Sequence, residues 1–127
     1  MSRHSPAGRK QRALRFGRLA EGLAALSLML GGYRIIHRRF KTYAGEIDLI
    51  ARRGRLLIAV EVKARQTLEQ AAEAVTPGQR ARISRALEVF IAGRPDCAGL
   101  DIRFDVMAVR PRRWPVHLKD AWRPNRF

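Results

Sequence analysis

The chain has one cysteine, Cys97, among its 127 residues, so no internal disulfide can form. Its three histidines, His4, His37 and His117, are scattered, and none stands at zinc-ligand spacing from another or from Cys97. Disulfide scaffolds and structural zinc are excluded. Long apolar runs are missing as well. The longest charge-free stretch, Gly22–Tyr33, is 12 residues, against the roughly 20 that a spanning helix needs. Basic residues precede that stretch, but Glu21 stands at its start and no small-x-small cleavage site ends it, which argues against a secretory signal. A cytoplasmic protein without a membrane span is the expectation.

Acidic residues are scarce too: 11 Asp and Glu face 26 Lys and Arg, a net charge of +15. Such an excess says little about fold and much about partners, because it favours polyanions. The basic extremes are the two ends: residues 1–20 hold six basic and no acidic groups. With 46% hydrophobic residues the chain can nonetheless bury a core, and its length suits one domain. We expect a basic flexible arm over residues 1–12, one domain over 13–122 and a tail over 123–127.

Hydrophobic spacing gives the elements. Phe16, Leu19, Leu23, Leu26 and Leu30 recur every three or four residues, predicting a helix from about Arg9 to Leu30 that Gly31-Gly32 ends. Strands are expected at Tyr33–Phe40, Gly45–Ala51, Arg55–Arg65 and Ile102–Ala108, with a further short one around Val116–Leu118. Gln66–Val75 reads as a loop. Thr76-Pro77 opens a helix, with Thr as cap and Pro in the first turn, and Ile83, Leu87, Phe90 and Ile91 are its apolar stripe. The fold class is α/β, a mixed central β-sheet flanked by helices.

One stretch carries chemistry. With Arg53-Gly54 as a turn centre, Glu46, Asp48, Glu61 and Lys63 share one face of a hairpin, Glu46 opposite Glu61 and Asp48 diagonal to it. Like charges directly across a sheet destabilise it, by roughly 3 kcal/mol at ~5 Å and an effective dielectric near 20. A divalent cation would offset this, and Lys63 would do so in part. Mg2+ or Mn2+ held by Asp48, Glu61 and Glu46 suits metal-assisted phosphodiester hydrolysis, since such ions take carboxylate oxygens, keep waters and accept substrate phosphate.

Asp48 followed by Glu61-Val62-Lys63 resembles the PD-(D/E)xK motif of the restriction-endonuclease-like nucleases. Gly45-Glu46-Ile47-Asp48-Leu49-Ile50-Ala51 and Val60-Glu61-Val62-Lys63-Ala64-Arg65 add to it, as do Gly17 to Glu21, Ala74-Val75-Thr76-Pro77 and Arg103-Phe104-Asp105-Val106. Together they resemble the YraN-like family, which is similar in fold and motif to archaeal Holliday junction resolvases. The resemblance implies a restriction-endonuclease-like fold, Asp48 and Glu61 as metal ligands, Lys63 as catalytic lysine, and Glu21 as an additional acid. It departs at Gly78-Gln79, where relatives often carry a lysine after Thr-Pro.

The function expected is a divalent-metal-dependent endonuclease acting on DNA, branched DNA included. The alternative is a non-catalytic DNA- or RNA-binding module on the same fold. Arg52, Arg65, Arg80 and Arg82 are the expected nucleic-acid contacts. Asp105 reads as structural, and Trp114 and Trp122 as packing the tail. A homodimer through the first helix is expected, with Leu19, Leu23, Leu26 and Leu30 on the sheet and Ala25 and Leu28 pointing away from it.

Overall fold

A computed structural model describes residues 6–124, with side chains from residue 16 onward. Helix α1 (Pro6–Leu30) leads into three antiparallel strands, β1 (Arg34–Thr42), β2 (Gly45–Arg53) and β3 (Leu56–Ala64). Two helices follow, α2 (Leu68–Ala74) and α3 (Pro77–Ala92), and then β4 (Asp101–Val109) and β5 (Val116–Trp122). The sheet order is β1-β2-β3-β4-β5. Only the β3–β4 pair is parallel, joined by the crossover through α2 and α3. A mixed sheet flanked by helices is thus what the chain forms. Of the arm expected over residues 1–12, the part from Pro6 belongs to α1 and the rest lies outside the described residues, as does the tail from residue 125.

The strand β3 is the axis of the core. Leu57, Ile58, Ala59 and Val60 are all fully buried, because helices cover both faces. Leu57 and Ala59 pack with Ile50, Phe104 and Val106 beneath Ala71, Ile83, Leu87 and Phe90 of α2 and α3. Ile58 and Val60 pack with Leu49, Met107 and Val109 beneath α1.

Three expectations need correction. α1 presents Ala20, Ala24, Ala25 and Leu28 to the sheet, while Leu19, Leu26, Met29 and Leu30 are exposed. The sheet supplies the bulky side chains on this face, so the helix approaches on its alanines and turns its leucines outward. Residues 68–74, expected in a loop, are helical: Thr67 Oγ1 accepts from Gln70 N at 3.1 Å, which caps α2. The β2–β3 turn is centred on Gly54-Arg55, since Arg53 pairs with Leu56, and Gly54 takes a φ of 60° there. The register therefore moves by two residues. Parity survives, so Asp48 and Glu61 keep a common face, but the residue brought opposite Glu61 is Asp48 and not Glu46.

Candidate metal-dependent active site

The β2–β3 ladder ends at Leu49–Val60. Beyond it Asp48 Oδ2 accepts a hydrogen bond from Val62 N at 2.8 Å, so a side chain takes over where main-chain pairing stops. A cleft of about 250 Å³ lies at this end of the sheet, lined by Gly17, Ala20 and Glu21 of α1, Glu46 and Asp48 of β2, Glu61 to Ala64 of β3, and Gln79 of α3. Every residue expected at the catalytic site, Glu21, Asp48, Glu61 and Lys63, is in that lining, and so is Glu46. Larger grooves, of about 530 and 450 Å³, run beside Trp122, but no pair of carboxylates converges in either.

Glu61 is the most buried acid of the cleft, only 6% exposed. Burial first, then a hydrogen bond with Asp48 and the Asp48 charge, push its carboxyl up to about 9, against the pull of Lys63. Glu61 Oε2 accepts from the Gln79 amide at 2.6 Å. Glu21 pairs with Arg39 at 2.7 Å, which ties α1 to β1, and Glu46 is exposed.

Gln79 is the site residue that sequence reasoning missed. Its signal was present: Thr76-Pro77-Gly78-Gln79 has capping-box spacing. Thr76 Oγ1 accepts from Gln79 N at 3.2 Å, which sets the first turn of α3. The Gln79 side chain leaves the box and reaches Glu61 instead.

The arginines divide. Arg65 and Arg82 are exposed. Arg65 follows cleft-lining Ala64, and the Arg82 backbone lies against Gly45 at the start of β2. Arg52, expected beside the site, sits at the opposite end of β2, bonded to the carbonyls of Gly54 at 2.9 Å and Asp96 at 3.2 Å. Arg80 donates to the carbonyls of Val75 at 3.1 Å and Ala72 at 3.3 Å and lies 5.6 Å over the Trp122 ring. It closes the end of α2, where helix carbonyls lack partners.

Sequence comparison places this geometry in a lineage. A family profile described as "Uncharacterised protein family UPF0102" matches residues 20–109. The chain belongs to that family. The UPF0102 match spans every acid of the cleft, Lys63 and Gln79, and stops before β5. A UPF0102 protein of Parvibaculum lavamentivorans is 56% identical over 112 residues, 88% of this chain and 84% of its own. A UPF0102 protein of Paramagnetospirillum magneticum is 50% identical over 97% of this chain and 98% of its own.

The donor set fits a hard divalent ion. Among the described residues no three His, Cys, Asp or Glu side chains cluster tightly enough to cage an ion by themselves. Two adjoining carboxylates, Asp48 and Glu61, would hold it, with the remaining positions left to water and phosphate, the ligands Mg2+ and Mn2+ accept.

Proposed function

We propose that this protein is a divalent-metal-dependent endonuclease that hydrolyses DNA phosphodiesters, branched DNA included. The observation that carries the reading is the convergence of Asp48, Glu61, Lys63 and Glu21 in one cleft, with Glu61 buried beside Asp48. A bound Mg2+ or Mn2+ would supply Lewis acidity toward a phosphoryl oxygen. Asp48 and Glu61 would hold that ion, Asp48 oriented by Val62 N–H and Glu61 by Gln79. Lys63, beside them, orients the attacking water or neutralises the negative charge that grows on the phosphate. Glu21, fixed by Arg39, is placed to accept a proton from water. The water oxygen bonds to phosphorus as the bond from phosphorus to the leaving sugar oxygen breaks. Arg65 and Arg82 flank the cleft as phosphate contacts.

A second reading, nucleic-acid binding without cleavage, is favoured by the raised Glu61 carboxyl, which stays uncharged beside Asp48 with no ion. One experiment separates the two: linear, flapped and four-way DNA and RNA incubated with wild type and Asp48→Asn, in Mg2+, in Mn2+ and in EDTA. The nuclease reading expects cutting with either cation, none in EDTA, and a loss of 100-fold or more in the variant (on the order of 3 kcal/mol of barrier). Binding without cutting under every condition leaves the second reading standing.

Assembly belongs to the same proposal. The exposed residues Leu19, Leu26, Met29 and Leu30 of α1 form an apolar surface of the kind by which two copies associate. A homodimer through this face would bring two clefts into two-fold relation.

A further inference from the structure

Tyr43 is 94% exposed, more than any other large apolar side chain among the described residues; Leu30 follows at 71%, and the next aromatic, Trp114, is at 52%. It stands at the tip of the β1–β2 hairpin, where Thr42 pairs with Gly45 and Tyr43 and Ala44 alone make the turn. Tight hairpin turns select Asn, Asp and Gly, so turn chemistry does not call for an aromatic here, and burial does not repay it. The tip is nevertheless firmly seated. A Cβ added at Gly45 would come within 2.9 Å of the Arg82 carbonyl oxygen, so the backbone of β2 rests directly on α3. Tyr43 is thus held out rigidly into solvent at the end of the sheet where the cleft opens. Lys41, two residues before Tyr43 and paired with Glu46, and Arg82, whose backbone lies against Gly45, are both exposed. Glu46, a cleft residue, is the second residue of β2 and follows Tyr43 by three positions in the chain.

We propose that Tyr43 stacks on an unpaired base of the substrate, so that the cleft takes nucleic acid whose bases are exposed beside the phosphodiester it cuts. The inference rests on the nucleic-acid reading given above. Every base offers a π-face, whereas a duplex hides those faces in its own stack, so a protruding ring discriminates by structure and not by sequence. The flanking cations hold phosphates without regard to either.

The test is binding of the full chain, in EDTA so that no cutting intervenes, to three probes at one salt concentration. These are a continuous DNA duplex, the same duplex carrying a three-nucleotide bulge, and a single strand with 2-aminopurine in the middle. Wild type should prefer the bulged and single-stranded probes and quench the 2-aminopurine. Tyr43→Ala should bind those two about 5- to 100-fold more weakly with duplex affinity unchanged, and Tyr43→Phe should behave as wild type. Circular dichroism on each variant confirms the fold, which an exposed turn residue does not determine. An unchanged preference in Tyr43→Ala, or a wild type indifferent to unpaired bases, overturns the role of Tyr43 and leaves the nuclease reading intact. A wild type that binds none of the three probes overturns both.

Discussion

Two buried carboxylates on neighbouring strands have opposite fates. Asp105 of β4 has no exposure, and burial alone would raise its pKa. His117 Nε2 at 2.7 Å, Arg103 at 2.7 and 2.8 Å and the Asp120 N–H at 2.9 Å outweigh that and hold it below the ordinary value. It is a satisfied structural acid, as its place on an alternating strand suggested. Glu61 of β3 has an amide and a second acid for partners, and its carboxyl rises. A carboxylate that the fold leaves unneutralised is where a cation gains most. The pH consequence has a definite sign. Glu61 holds its proton in the folded state up to about 9 and releases it in the unfolded chain near 4.5. Its contribution to stability is full below 4.5 and is lost as pH rises through that window toward 9. Asp105 acts elsewhere: its contribution is present above 3.8 and is lost as pH falls through its lowered folded value. In EDTA the thermal midpoint should therefore decline between pH 5 and pH 9. Added Mg2+ should raise it more at pH 8 than at pH 5, and Glu61→Gln should abolish both effects. A metal-induced rise that is equal at the two pH values, or that survives in Glu61→Gln, would place the ion elsewhere.

At the scale of elements, α1 shows what hydrophobic periodicity can and cannot say. The spacing of Leu19, Leu23, Leu26 and Leu30 identified a helix correctly, but two faces of α1 are apolar and period alone does not say which is inward. The stripe with the clearer three-four spacing is not the one that packs: Leu28 is buried, and Leu19, Leu26 and Leu30 are exposed. Sheet geometry decides the matter: with Ile58, Val60, Leu49 and Met107 already filling this face, alanines give the closer approach. The outcome to expect is asymmetric. Leu28 is 1% exposed and Leu26 is 42% exposed. Leu28→Glu puts an unpaired charge in the core and should lower stability by about 3 kcal/mol or more. Leu26→Glu should leave stability within about 0.5 kcal/mol while turning a dimer into a monomer by light scattering. A Leu26→Glu protein that keeps the wild-type mass removes α1 as the dimer contact. The hairpin is the opposite case. Alternation along Glu46–Ile50 and Leu56–Lys63 gave the shared face of the acids, a parity property that a two-residue slip cannot alter. Which acids meet depended on the turn, and Arg53-Gly54-Arg55 offers two centres differing by one residue in position and two in register. α2 escaped notice because its seven residues are too few for a period to show.

The whole molecule adds the question of where a charge of +15 comes to rest. The total is legible from composition; its placement is a tertiary property. Arg103 is spent on Asp105, Arg80 on the end of α2 and Arg52 on two carbonyls far from the cleft. Arg34, Arg38, Arg39 and Lys41 line the outer strand β1, where exposed cations also discourage pairing with another sheet edge. Among the described residues, Arg65, Arg82 and Lys41 lie near the ends of the strands and helix that line the cleft, with Lys63 inside it. Salt dependence counts such contacts. If about five phosphates are neutralised, log K for duplex DNA should fall against log[salt] with a slope near −4.5, about 0.9 per phosphate. Arg65→Gln and Arg82→Gln should each make that slope shallower by about 0.9. Arg52→Gln should leave it as it is, and Arg80→Gln should lower the thermal midpoint through the loss of its carbonyl bonds with no change in slope. The four single variants and their titrations therefore assign the interface to one end of the sheet. A slope that responds to Arg52 and ignores Arg82 would put nucleic acid at the Gly54 end, away from every acid of the cleft, and the cleft would then have no phosphodiester to act on.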